Sequence, residues 1–107
     1  MKALICNEFG STKNLTLEEV KSPEPGAGQV LIDVHAAGIN FPDVLTVQGK
    51  YQFKPSLPFT PGIEVSGVIK KVGKDVKMRK VGDEVISTLQ TGAFASEAVS
   101  YTHLTLP

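Results

Sequence analysis

Four polar side chains between Gly38 and Gly73 are those most able to do chemistry. An amide, two carboxyl groups and a phenol are supplied by Asn40, Asp43, Glu64 and Tyr51. A carboxyl group or a phenol can act as a general acid or base, and an amide can donate a hydrogen bond to a developing negative charge. His35, just before this stretch, is a further acid–base candidate by residue type.

Each of these side chains also has an explanation that requires no catalysis. Asn40 is a favourable N-cap for a short helix, and Asp43 lies in the first turn, where the helix dipole stabilises a negative charge. Tyr51 is explained as an aromatic side chain packing at the rim of the domain. Glu64 opens an apolar strand, either as an exposed first residue or as a buried carboxylate with a partner. Taken alone, these residues predict only a soluble β-rich domain.

Metal binding and nucleophilic catalysis have little support in the pattern of residues. A zinc site needs three or four converging Cys, His, Asp or Glu ligands. The chain has one cysteine, Cys6, and two histidines, His35 and His103, which fall in separate predicted elements. It contains neither a nucleophile elbow nor a Gly-x-Gly-x-x-Gly loop. We therefore predict no metal site, and we expect Cys6 to be a buried apolar side chain.

The composition is that of one small globular domain. The 107 residues are 41% hydrophobic and 21% charged, which are values typical of folded chains. Eleven Lys and Arg balance eleven Asp and Glu, so there is no electrostatic reason to expect a nucleic-acid or membrane partner. No apolar run approaches the roughly 18 residues of a membrane span, and the start lacks a signal-peptide pattern. A single cysteine suits the reducing cytosol, so we predict a cytoplasmic protein.

Short strands and one helix must position these side chains. Alternating apolar residues and turn signals predict six strands, over residues 1–6, 15–20, 29–38, 63–72, 84–89 and 93–99. A helix is predicted over residues 41–48, ending at Gly49. Gly67, inside the fourth strand, predicts a bulge or a close backbone approach. Together these elements predict a mainly β fold, a small barrel with a helical insertion.

An ordered series of motifs runs through the chain. The motifs are AGINFPD at 37–43, QGKY at 48–51, LPFTPGIEVSGVI at 57–69, VG at 72–73 and KVGDEV at 80–85. In this order they resemble the medium-chain dehydrogenase/reductase superfamily, within it the zinc-independent quinone oxidoreductase (zeta-crystallin-like) branch. The resemblance implies a GroES-like β-barrel, the N-terminal catalytic domain of a two-domain enzyme whose Rossmann domain is missing here. It covers residues 1–99, which we therefore expect to form one truncated domain.

The same resemblance implies an activity. Members of this branch transfer hydride from NADPH to a quinone or another conjugated carbonyl, and they are usually homo-oligomers. Zinc-dependent relatives carry a Cys where Asn40 stands and a His where Ile63 stands, so both ligands are absent here. The resemblance implies that Asn40, Asp43, Tyr51, Ile63 and Glu64 line the substrate and cofactor pocket. Asn40 and Tyr51 are the expected catalytic hydrogen-bond donors, and the fragment by itself is expected to be inactive.

Two positions depart from the best-known quinone reductases. Where those enzymes commonly have Tyr and Arg, this chain has Leu45 and Val47, so the identity of the substrate does not carry over. Two alternatives stay open. One is a free-standing GroES-like module that binds or assembles without catalysis. The other is an enoyl-thioester or 2-alkenal reductase of the same superfamily.

The last residues, 100–107, do not continue the family pattern, which normally goes on with a polar loop containing a proline and an acidic residue. The string from about Val99 to Pro107 instead resembles the translation of a transposon-end sequencing adapter. We therefore predict a non-native tail, and we assign no function to Tyr101 or His103. Sequencing the source gene with adapter sequence trimmed tests this, and a clean genomic match through Pro107 would refute it.

Overall fold

The computed structural model describes the whole chain, residues 1–107, as seven strands and one α-helix. The strands are β1 (Lys2–Cys6), β2 (Leu15–Glu19), β3 (Gln29–Ala37), β4 (Glu64–Val72), β5 (Glu84–Thr88), β6 (Glu97–Tyr101) and β7 (Thr105–Leu106). The helix α1 spans Phe41–Gln48, as predicted, and ends at Gly49. Two short 3-10 turns cover Thr12–Asn14 and Thr102–Leu104.

The strands form two antiparallel sheets. The larger has the order β6-β3-β4-β5-β7, and β1 and β2 form a separate two-stranded ladder. Isolated bridges from Ala3 to Ala95 and from Cys6 to Phe59 tie the ladder to the rest. The sheet therefore curls into a half-barrel that carries one helix, which confirms the predicted mainly β, GroES-like fold.

The core is built from aliphatic side chains of β3, β4 and β5. Its main cluster contains Val30, Ile32, Val65, Ile69, Val85 and Ala93. Each valine or isoleucine of this cluster contributes about 1.5–3 kcal/mol when fully buried. A second cluster joins α1 to β1 through Cys6, Val47 and Phe59. Cys6 is thus the buried apolar side chain that the sequence predicts, and burial raises the pKa of its thiol.

Gly67 in β4 marks a close approach of two strands. A Cβ atom there would lie 2.0 Å from the carbonyl oxygen of Asp33 on β3. The ladder slips beside this contact, between Val34 and Ala36, which leaves His35 as the extra residue. The predicted close approach is confirmed, and the accompanying bulge lies on β3 rather than on β4.

The largest departure from the predicted elements is at the end of the chain. The strand predicted over 93–99 begins only at Glu97, because the residues before it bond elsewhere: the Ala93 N–H donates to the carbonyl of Gly62 in a loop, and the Ser96 N–H donates to the carbonyl of Lys2 in β1. This strand runs on to Tyr101, and β7 beyond it was not predicted. Residues 100–107 are thus packed against the sheet, while their origin stays a prediction.

A buried carboxylate ties the proline-rich crossing between β2 and β3 to the larger sheet. Glu97 is 8% exposed; it accepts a hydrogen bond from Ser22 in that crossing and forms an ion pair with Lys70 at 2.6 Å. Lys70 is the extra residue of a second ladder slip, which re-aims its side chain. The bonds from Lys70 and Ser22 lower the pKa of Glu97, and the same ion pair raises the pKa of Lys70.

Replacing this carboxylate by an amide should cost stability in a pH-dependent way. Glu97→Gln is expected to lower the free energy of unfolding at neutral pH by about 1–3 kcal/mol, because charge-assisted bonds become neutral ones. The folded-state pKa of Glu97 lies below its ordinary value of 4.5, so the contribution is complete above that pH and is lost as pH falls through the folded value. The pKa of Lys70 is raised above its ordinary value of 10.5, so the contribution of the ion pair to stability is lost only as pH rises through that raised value.

Urea denaturation of the parent chain and of Glu97→Gln, at neutral and at acidic pH, measures this difference. The two stabilities should converge in acid. Glu84→Gln, on an exposed glutamate, is the matched control and should leave stability nearly unchanged. A gap between parent and Glu97→Gln that is the same at both pH values would contradict the assignment.

Candidate functional site

The start of α1 brings together two of the predicted site residues, Asn40 and Asp43. The backbone N–H of Asn40 donates to Oδ2 of Asp43 at 2.8 Å, and the N–H of Asp43 donates to the Asn40 carbonyl at 3.0 Å. These bonds satisfy donors that the start of a helix otherwise leaves free. Because Asp43 is only 5% exposed, its carboxylate is held inside the domain rather than on the surface.

One polar atom of each of these side chains has no partner within the chain. Asn40 Nδ2, a donor, and Asp43 Oδ1, an acceptor, are both buried and unpaired. Buried polar atoms are nearly always hydrogen-bonded, and leaving one unpaired costs about 1–3 kcal/mol. The helix start therefore leaves one donor and one acceptor without a partner in the chain.

Two large apolar residues flank Asn40 in the chain and are left in solvent. Ile39 is 83% exposed and Phe41 is 74% exposed. Sequence reasoning treated both as spacers in a motif and missed them as part of a surface. The available signal was that apolar residues on either side of an N-cap do not belong to the buried stripe of the following helix.

The opposite side of α1 belongs to the core. Val47 is 2% exposed and packs in the second cluster with Cys6 and Phe59. At the end of the helix Gly49 adopts a left-handed φ of 73°, and a Cβ atom there would lie 2.9 Å from the ring of Phe9. Val47 therefore anchors the helix and does not face the surface that carries Asn40's neighbours. Packing in the core explains why residue 47 is apolar, so Val47 gives no information about the substrate.

The end of β3 lies against Glu64. A Cβ atom on Gly38 would lie 1.9 Å from Oε1 of Glu64, so the absence of a side chain makes room for the carboxylate. The Gly38 N–H also donates to the Glu64 carbonyl at 3.3 Å. Of the two sequence interpretations of Glu64, the exposed first residue of a strand is the one observed. The small residues at 36–38 mark a close approach to this side chain.

A cavity of about 530 Å³ lies beside Glu64. Three strand segments, residues 36–38, 64–66 and 86–88, line it, together with His103, Leu104 and Leu106. Its volume falls in the range of about 300–1,000 Å³ that is typical of small-molecule sites. Among the predicted site residues only Glu64 reaches it, and part of its lining comes from the segment predicted to be non-native.

The remaining candidates lie apart from these two places. Tyr51 and Ile63 are half-buried, and neither lines the cavity. The Ile63 carbonyl accepts a bond from the Leu89 N–H at 2.7 Å, which fixes the entry of the chain into β4. His35 lies 3.7 Å from Asp33 in an exposed pair. The structure thus joins Asn40 to Asp43 and Glu64 to Gly38, without a hydrogen bond from Tyr51 to either pair.

Metal ligands do not cluster in the structure. No group of three or more His, Cys, Asp or Glu side chains is placed to hold a metal ion. Asn40 and Ile63 themselves offer an amide and an aliphatic group, neither of which is a preferred zinc ligand. No helix has both the length and the apolar character needed to cross a membrane.

The sequence also matches a known family over most of its length. Residues 26–103 match the alcohol dehydrogenase GroES-like domain. The chain belongs to this family. This GroES-like domain is 41% identical over 99 residues to Quinone oxidoreductase-like protein 2 of Mus musculus and 42% identical over 110 residues to the Quinone oxidoreductase of Rattus norvegicus. These matches cover 92% and 100% of this chain but 28% and 33% of the two relatives.

Solved structures give the same relationship. The human synaptic vesicle membrane protein VAT-1 homolog-like protein superposes with a TM-score of 0.94 at 32% identity, over 98% of this chain and 34% of its own. The Escherichia coli quinone oxidoreductase complexed with NADPH gives 0.93 at 29% identity, over 98% of this chain and 32% of its own. The GroES-like chain therefore spans about a third of these relatives and matches their N-terminal part. The predicted family is confirmed, and it is a family of oxidoreductases.

The contact between Gly38 and Glu64 can be tested by a double-mutant cycle. Gly38→Ala should lower the free energy of unfolding by about 0.5–1.5 kcal/mol, because the new methyl group forces the exposed Glu64 side chain out of its present rotamer. Glu64→Ala alone should change stability by no more than about 0.5 kcal/mol, as expected for an exposed side chain. In the double variant most of the loss should be recovered, giving a coupling that urea denaturation measures. Additive effects would show that the two residues do not interact.

Proposed function

We propose that this chain is the N-terminal, substrate-facing part of a zinc-independent oxidoreductase that transfers hydride from NADPH to a quinone or another conjugated carbonyl. The observation that carries the proposal is the unpaired donor of Asn40 and the unpaired acceptor of Asp43 at the start of α1. A few polar groups beside exposed apolar residues are typical of sites for flat organic ligands. Relatives named quinone oxidoreductase match nearly the whole chain, and solved ones include complexes with NADPH.

The polar side chains at this helix start can hydrogen-bond to a nicotinamide and to the carbonyl substrate beside it. Asn40 Nδ2 can donate to a carbonyl oxygen or a ribose hydroxyl, and Asp43 Oδ1 can accept from an amide or hydroxyl group. When bound, NADPH supplies the hydride. The contribution of this chain is to orient the acceptor carbonyl and to stabilise the negative charge that develops on its oxygen through Asn40. Ile39 and Phe41 exclude water from that surface.

Tyr51 is proposed as a second donor that protonates the reduced oxygen. Its half-buried side chain follows the end of α1, and the role is the one that the family resemblance implies. Ile63 and Glu64 complete the proposed wall at the entry to β4. The proposal of zinc independence is supported by the amide of Asn40 and the aliphatic side chain of Ile63, which stand where zinc-dependent relatives carry ligands.

The remaining features belong to the same proposal. The relatives are about three times longer than this chain, which supports a missing Rossmann domain that holds most of the NADPH site. A single buried cysteine supports a cytoplasmic protein, and the balanced charge supports the absence of nucleic-acid and membrane partners. The family resemblance supports a homo-oligomeric full-length enzyme.

The full-length gene product provides the test. NADPH oxidation is followed by absorbance with a benzoquinone, an enone, a 2-alkenal and an enoyl thioester as acceptors. We expect turnover with the quinone or the enone, and none by the 107-residue chain alone, because the cofactor site is largely missing. Absence of turnover with all acceptors, in a gene that stops near Pro107, would favour a binding or assembly module instead.

Two variants of the full-length enzyme test the assigned roles. Asn40→Ala should lower kcat/KM by about 10²–10³, the usual effect of losing a donor to a developing oxyanion. Tyr51→Phe should lower kcat by about 10² or more with little change in KM. Asn7→Ala, which removes an exposed amide on the β1–β2 arm, is the control and should behave as the parent enzyme. Unchanged turnover in Tyr51→Phe would eliminate the proton-donor role.

A further inference from the structure

The backbone of Asn40 is held on both sides by the residue three places after it. Oδ2 of Asp43 accepts a hydrogen bond from the Asn40 N–H at 2.8 Å, and the Asp43 N–H donates to the Asn40 carbonyl at 3.0 Å. These bonds lie on either side of the Asn40 Cα, where the backbone is extended with φ −127° and ψ 156°. Because the rotamers open to a side chain depend on its backbone, the two bonds restrict the direction of the Asn40 amide.

The first turn of α1 is itself held by contacts that need no ligand. Pro42 has a φ fixed by its ring, and its carbonyl accepts a hydrogen bond from the Thr46 hydroxyl at 2.8 Å. One residue further on, Val47 packs in the second core cluster. The carboxylate of Asp43 therefore projects from a turn whose geometry is already set.

Helix capping alone does not explain why Asp43 is buried. An exposed carboxylate can cap a helix without the cost of leaving water, but Asp43 is 5% exposed and its Oδ1 has no partner. Glu97, the other buried carboxylate, has both oxygens paired, with Ser22 and with Lys70. The side-chain bond of Asp43 goes to Asn40, whose own Nδ2 is left unpaired. The buried carboxylate is thus committed to the residue that is proposed to donate to the substrate.

We propose that Asp43 is the positioning residue of this site, because its bond to the Asn40 N–H aims the Asn40 amide at the carbonyl oxygen of the acceptor. This role rests on the proposed hydride transfer, in which Asn40 stabilises the charge that develops on that oxygen. A group misplaced by about 1 Å can cost roughly 10²-fold in rate, so the orientation of the amide matters as much as its presence. Asp43 acts through Asn40 and contributes to the rate without itself contacting the reacting atoms.

Two variants of nearly the same shape, made in the full-length enzyme, test the role. Asp43→Leu removes the acceptor, and it should lower kcat by about 10–10² while KM stays within about twofold. Asp43→Asn keeps an oxygen that can accept the Asn40 N–H and should restore kcat to within about threefold of the parent. Val47→Ala loosens the same helix through the core, so it should lower the melting temperature and leave kcat unchanged.

A double-mutant cycle shows whether Asp43 acts through Asn40. In the Asn40→Ala background, adding Asp43→Leu should lower kcat by less than about twofold, since the amide that it positions is already gone. Independent, multiplying losses would overturn the proposal. So would a fall of kcat in Val47→Ala as large as that in Asp43→Leu, and so would unfolding of Asp43→Asn, because each would show that the residue serves only the structure.

Hydrogen exchange of the Asn40 amide in the full-length enzyme separates this inference from the proposed function. The amide should be protected in the parent and in Asp43→Asn, and it should exchange at least about tenfold faster in Asp43→Leu. Lost protection with an unchanged kcat would overturn the positioning role and leave the proposed hydride transfer standing. A protected amide in a parent enzyme that turns over none of the acceptors would overturn the proposed function, and the positioning role with it.

Discussion

The close approach of β3 to β4 is the constraint on which the rest of the structure depends. Only a glycine at position 67 lets the two backbones come together, since any Cβ there would lie 2.0 Å from the Asp33 carbonyl oxygen. The ladder slips on either side of that contact. One slip precedes the small residues that meet Glu64, and the other directs Lys70 across β3 to Glu97. The contact thus lies between the small residues beside Glu64 and the ion pair that holds the proline-rich crossing.

The two buried carboxylates of the chain differ in how completely they are hydrogen-bonded. Glu97 is fully partnered by Lys70 and Ser22, and the resulting fall in its pKa is a contribution to folding. Asp43 has one oxygen bonded to the Asn40 N–H and the other unpaired. A buried group left incomplete costs free energy, and such costs are concentrated where a protein binds something. The incomplete carboxylate, rather than the complete one, therefore marks the candidate site.

Local signals predicted the parts of the fold that local chemistry determines. Asn40 and Gly49 bound the helix because capping is decided within a turn, and Val30 and Ile32 alternate into the core because the pleat has a period of two. The late start of β6 was not predictable, since it depends on Ala93 and Ser96 bonding to residues far away in the chain. The same holds for the Lys70–Glu97 pair and for the cavity beside Glu64. Ordered motifs, by contrast, identified the family, and the residues of the proposed wall stay a prediction.

The burial of Cys6 links the reactivity of its thiol to the packing of α1. Its thiol packs against Val47 of α1 and Phe59, and both the raised pKa and the lack of exposure make it unreactive while that contact is intact. Because it is the sole cysteine, alkylation by a thiol-specific reagent requires opening of the cluster in which Cys6 packs against Val47 and Phe59. The rate at which Cys6 is alkylated therefore reports how often the packing of the helix that follows Asn40 opens.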